Sequence, residues 1–164
     1  MWGRQKIDYI SRANCIPIWF FIVSILVVIV IAALTKKLSI GLFVGYVLVI
    51  LGETVIFRTP TTHLHFQPQL FWSYKVWDIQ KEQIIANVLA YVPFGLLAGR
   101  LWKWKGLLAG IGLSITSELL QLITYRGLME FDDLLHNILG TLIGVSIYMI
   151  CVELISKKGN NGFH

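Results

Sequence analysis

Residues 16–34 read IPIWFFIVSILVVIVIAAL, with Ser24 the one polar side chain in the middle of the run. A bilayer crossing takes roughly 20 apolar residues at about 1.5 Å each, and this stretch has that length. Ile and Val would suit a strand in water. In lipid the backbone must satisfy itself within one segment, which selects a helix. Four further runs follow, about Leu38–Phe57, Ile84–Leu101, Gly106–Thr124 and Leu134–Ile155. The expected fold is therefore an all-α membrane protein, a bundle of five transmembrane helices. Arg4, Lys6 and Arg12 precede the first run, as in a signal peptide. That run is longer than a usual signal core and Lys36 and Lys37 follow it, so an uncleaved span is expected.

Composition agrees. The 164 residues are 56% hydrophobic and 14% charged, with mean hydropathy +0.71, whereas soluble domains are about 25% charged. No stretch is left for a soluble domain, and there is no internal repeat. The chain divides into a juxtamembrane segment (1–15), two spans (16–57), an aromatic-rich interfacial loop (58–83), a three-helix core (84–155) and a short basic tail (156–164). The net charge of +5 sits at span ends, where it sets orientation and meets anionic lipid rather than nucleic acid. The compact juxtamembrane set Lys36, Lys37, Arg100, Lys103, Lys105, Lys157 and Lys158 places that side in the cytoplasm and the N-terminus outside. Cys15 and Cys151 fall toward opposite faces, so no disulfide is expected within one chain.

The polar residues of the later spans converge. Spans alternate in direction, so the ends of the second and fourth meet the starts of the third and fifth at one face. Glu53, Asn87, Glu118, Gln121, Asp133 and Asn137 then share a similar depth, within about one to two turns of that face at roughly 5.4 Å per turn. Glu118 and Gln121 are i,i+3, and Asp133 and Asn137 are i,i+4, so each pair occupies one helix face. Ionisable groups inside spans face the bundle interior or a wet cavity. Glu118 and Asp133 are the candidates for chemistry, as acid or base. Asn87, Gln121, Glu130 and Asn137 are candidate binding residues, and Arg126 is the expected cation, ahead of Arg58 and a protonated His136. The alternative is a hydrogen-bonded network that fixes helix packing. Glu53 fits a side chain that snorkels to the surface.

Other features read as structural. Gly140-x-x-x-Gly144 admits a close helix, Pro93 should kink the third span, and Trp102-Lys103-Trp104-Lys105 reads as an interfacial anchor. His63-x-His65 lacks a Cys or carboxylate at ligand spacing, so no metal is expected. With no phosphate loop, nucleophile elbow, zinc-helix or dinucleotide motif, no cofactor is expected.

In order, Asn87-x-x-x-x-x-Pro93-Phe94-Gly95, Glu118-x-x-Gln121 and Glu130-x-x-Asp133-x-x-x-Asn137-x-x-Gly140 resemble the VanZ-like family. The resemblance runs from near Phe57-Arg58 to about Gly144, with His65-Phe66-Gln67-Pro68 similar to a short motif before the family's Asn. The first span falls outside it. Glu130 stands where many members have Asp, which keeps the charge and lengthens the reach. The resemblance implies a bacterial integral membrane protein, and the family's namesake is linked to resistance to teicoplanin and related lipoglycopeptides.

Three functions compete. A non-enzymatic factor would engage membrane lipid or a lipid-linked envelope precursor in the polar pocket. An intramembrane enzyme would modify a lipid or lipid-linked glycan, with Glu118 or Asp133 as acid or base; the sequence offers no nucleophile–base pair for it. A small transporter would relay protons through the same acids, and five spans would then call for a homo-oligomer.

Overall fold

The structure is a computed structural model and describes residues 16–60 and 65–160. The N-terminal segment with Cys15 and its basic residues, and His63 of the His-x-His pair, lie outside the described residues.

Helix α1 (Ile18–Thr35) buries only Phe20 and Ser24, so nearly all of its surface faces outward, as an apolar helix in lipid does. The Ser24 hydroxyl returns to the Phe20 carbonyl at 2.9 Å. The helix ends where Lys36 turns left-handed (φ 54°). Helix α2 (Leu38–Leu51) folds back along it and runs into a π turn, Gly52–Ile56. Phe20, Trp19 and Phe57 meet edge to face around that turn.

After a short strand β1 (His65–Gln67) and one turn of helix α3 (Trp72–Lys75), helix α4 runs from Trp77 to Trp102. A short 3-10 turn at Lys103–Lys105 leads into α5 (Gly106–Thr124). Strand β2 (Leu128–Glu130) and helix α6 (Phe131–Asn160) follow. Among the described residues, four stretches are long and apolar enough to cross a membrane: Ile18–Thr35, Leu38–Ile56, Trp77–Thr124 and Phe131–Lys158. The third is not one rod. The backbone breaks at Lys103 (φ 54°), Gly106 lies against Ala98, and Tyr91 lies beside Ser114 and Ser117. The stretch is thus a hairpin of two antiparallel helices.

Three sequence expectations change. Helix α4 begins at Trp77 rather than Ile84, so the segment ahead of the span is partly helical. Helix α6 begins at Phe131 rather than Leu134, which puts Asp132 and Asp133 in its first turn, where the helix dipole favours acids. The fold is also not purely helical. β1 and β2 pair in parallel, His65 with Leu128, Phe66 with Met129 and Gln67 with Glu130. These residues lie at helix ends, where each strand supplies the backbone partners that the other lacks. Pro93 is accommodated within α4.

The tightest packing joins α4 to α6. A Cβ on Gly144 would strike the Val92 carbonyl, the Leu96 amide and Gly95, and one on Gly95 would strike the Thr141 carbonyl. Here two backbones touch. Alongside, Ile50, Tyr91, Phe94 and Ala98 form the apolar core. The Tyr46 hydroxyl ties α2 to α4 through the Ala90 carbonyl at 2.8 Å.

Candidate functional site

The polar residues gather at the end of the bundle opposite the Lys103–Lys105 turn. Helix α5 points Ser114, Ser117, Glu118 and Gln121 inward at i,i+3/i+4 spacing. The first turns of α6 answer with Asp132, Asp133, His136 and Asn137. Glu118, Gln121, Glu130, Asp133 and Asn137 are each at most 5% exposed, a burial that carboxyl and amide groups tolerate only when they find partners.

The partners connect four chain segments. A Glu118 oxygen accepts the Glu130 backbone N–H at 3.1 Å. Gln80 Nε2 lies 3.5 Å from Glu130 Oε1. Gln83 donates to Asp133 at 2.8 Å, and Asn137 donates to Ser114 at 3.0 Å. Asp133, Arg58 and Glu130 are the charged groups that act on Glu118. Asn87 sits half-buried one turn before Tyr91, and it makes no hydrogen bond to another described residue. The structure thus brings Glu118, Gln121, Glu130, Asp133 and Asn137 together, with Asn87 at their edge. Glu53 is exposed on the π turn, away from the cluster.

Arg126 is placed elsewhere. Helix α5 ends at Tyr125, left-handed at φ 57°, and the Arg126 N–H closes on the Gln121 carbonyl at 3.0 Å. Its guanidinium donates to the Ile56 carbonyl and, at 3.3 Å, to that of Arg58. These carbonyls lie at and just past the end of the π turn that continues α2, so Arg126 caps that end. The arginine nearer the acids is Arg58, whose Nη1 lies 3.5 Å from Gln121 Oε1. Arg126→Ala should lower the melting temperature modestly, since a hydrogen bond at a partly exposed site contributes about 0.5–1.5 kcal/mol. Its expected effect on ligand retention is small. A melt and a binding assay on one preparation separate the two roles.

A model of the family described as VanZ/LLP1 matches residues 19–152. The chain belongs to the VanZ/LLP1 family. The match begins inside α1, which corrects the expectation that the first span falls outside the family region. Protein VanZ of Enterococcus faecium is 30% identical over 80 residues, which cover 46% of this chain and 50% of that protein. The chain therefore spans about half the length of that relative. No solved structure matches it. With its apolar helices, this VanZ/LLP1 member is a multi-pass membrane protein.

Sequence alone does not pick out Asp132, Gln80 or Gln83 as site residues, and it ranks Arg58 behind Arg126 as the cation beside the acids, the reverse of the order the structure supports. Both oxygens of Asp132 are engaged. One accepts the Phe71 N–H at 2.6 Å, and the other accepts the Ser73 N–H at 2.8 Å and the Ser73 hydroxyl. Asp132 thus anchors helix α3 to α6 in the VanZ/LLP1 fold. Next to it, His136 Nε2 meets the Tyr74 hydroxyl at 3.0 Å. Asp132→Ala should speed amide exchange at Phe71 and Ser73 by about tenfold or more, since hydrogen bonds to charged groups contribute about 1.5–3 kcal/mol. Hydrogen–deuterium exchange by mass spectrometry measures it, and unchanged protection would show that α3 is held by other contacts.

Proposed function

We propose that this chain crosses the bacterial cell membrane five times and lowers susceptibility to lipoglycopeptides such as teicoplanin. The polar cluster at one membrane face engages lipid or a lipid-linked envelope component. The observation that carries this reading is the burial of Glu118, Gln121, Glu130, Asp133 and Asn137 in a helical membrane protein of the VanZ/LLP1 family. A central carboxylate costs about 2.5–3.5 kcal/mol to insert. Packing alone is met more cheaply by apolar side chains, so several such groups in one place point to a use beyond packing. The N-terminus lies outside and the Lys103–Lys105 turn in the cytoplasm. Reporter fusions after Lys37 and after Lys158 should both report a cytoplasmic position; a fusion after Lys37 facing outward reverses this orientation.

Expression in a sensitive Gram-positive host tests the function. Teicoplanin susceptibility should fall while vancomycin susceptibility stays near that of the empty host. No teicoplanin-selective change defeats the reading.

A second reading is favoured by one observation, the nearness of Glu118 to Asp133. Two adjacent carboxyl groups can divide acid and base roles, as in an enzyme acting on a lipid or lipid-linked glycan. That reading requires a mass change in extracted lipids or wall precursors, lost in Glu118→Gln.

A further inference from the structure

The opposite end of the bundle carries a groove of about 490 Å³ between the Lys103–Lys105 turn and the last turns of α6. Its lining changes character along the helix. Met149 and Ile150 line the end nearer the middle of the span, and Glu153, Ser156 and Lys157 line the outer end. Trp104 contributes from the turn. Met149 and Lys157 are eight residues apart on the helix, about 12 Å at 1.5 Å per residue. The polar layer of one leaflet is about 5–8 Å deep, so the groove runs from the headgroups into the first acyl carbons. Its apolar side chains lie where lipid chains begin, and its polar ones where headgroups sit. Trp104 and Ile150 are 53% and 57% exposed, so the described chain leaves this lining open.

Charge selects the occupant. Lys103 and Lys105 flank Trp104, Lys158 follows Lys157, and all four lysines are exposed. Glu153 is the one acid among the described residues at this end. It pairs with Lys157 at 2.7 Å, but both side chains are more than half exposed, and such a pair contributes little. Lys157 can therefore turn to another anion. A second copy of the chain would bring the same lysines face to face, which like charge disfavours.

We infer that this groove binds one anionic phospholipid, with its acyl chains along Met149, Ile150 and Trp104 and its headgroup at Lys157. Basic pockets beside apolar helix surface at a membrane interface hold lipids of this charge. The groove and the Glu118–Asp133 cluster lie at opposite ends of the bundle, so lipid held here is independent of what the cluster engages.

The test uses the purified full chain in a polyoxyethylene detergent. It is offered equal amounts of phosphatidylglycerol and phosphatidylcholine with identical acyl chains, and native mass spectrometry counts the lipid retained. One phosphatidylglycerol per chain should be retained over phosphatidylcholine by about tenfold, since each lysine near an anionic headgroup adds roughly fivefold. In Lys157→Gln/Lys158→Gln the preference should fall by about fivefold or more. Lys36→Gln/Lys37→Gln removes the same charge from the turn between α1 and α2, and its preference should stay within about twofold of the wild type. All four positions are exposed, so neither double variant disturbs the core. Equal retention of the two lipids by the wild type overturns the inference, as does an undiminished preference in Lys157→Gln/Lys158→Gln. An equal fall in both double variants assigns the preference to surface charge at large and also overturns it. A dimer that retains no lipid gives the groove to a second copy instead.

Discussion

Glu118→Ala and Asp133→Ala are each expected to return teicoplanin susceptibility to that of the empty host while the protein stays in the membrane. Helix α5 has an apolar exterior to hold it in lipid whichever residue stands at 118, with Leu108, Ile115 and Ile123 facing outward. Inside, Glu118→Ala leaves the Glu130 N–H without its acceptor, a loss of about 1–3 kcal/mol. Asp133→Ala likewise strands the Gln83 amide. Losses of that size lower a melting temperature without emptying the membrane of a helical protein anchored by its other packing. Binding responds more steeply, because the removed group is itself the contact. The variants should therefore separate abundance from phenotype, and quantitative blotting of membrane fractions beside susceptibility measurements shows whether they do.

Gly144→Leu should have the larger effect on folding. At Gly144 even a Cβ would meet backbone atoms of Val92, Leu96 and Gly95, and backbone cannot rotate aside as a side chain can. Overpacking a tight core costs about 1–3 kcal/mol per site, and a leucine forces apart the closest helix pair in the fold. Because α4 and α6 carry Gln83 and Asp133 to each other, separating them also opens the cluster. Most of the variant should appear as aggregate or degraded protein in a size-exclusion trace of the detergent extract. Gly112→Leu is the control, since nothing stands within 4 Å of a Cβ there, and its trace should match that of the wild type. Equal traces for the two variants would show that α4 and α6 do not rely on this contact.

Much of this was legible in the sequence because lipid leaves few choices. Apolar runs set the helices, and alternation brought Glu118, Gln121, Asp133 and Asn137 to one end without knowledge of their packing. What escaped had weaker local signals. Gln80 and Gln83 read as loop residues because hydropathy dies away before Ile84, although Gln80, Ile84, Asn87 and Tyr91 keep a helical period. Asp132 gave no sign of its role, since its partners Phe71 and Ser73 lie about sixty residues away in sequence. The parallel β1–β2 pairing was hidden for the same reason: strands of three residues carry no periodicity, and their register is set by the helices between them. Charge alone favours Arg126 as a partner for the acids. A carbonyl at a helix end attracts a guanidinium as well, and only the spatial arrangement decides between them.

The most direct measurement is the ratio of teicoplanin to vancomycin inhibitory concentrations in one Gram-positive host expressing wild type, Glu118→Ala, Asp133→Ala or Glu53→Ala at matched membrane abundance. Glu53→Ala removes an exposed carboxylate outside the cluster. Wild type and Glu53→Ala should raise the ratio together, and the two cluster variants should leave it at the empty-host value. A raised ratio in all four strains would contradict a functional role for the buried cluster.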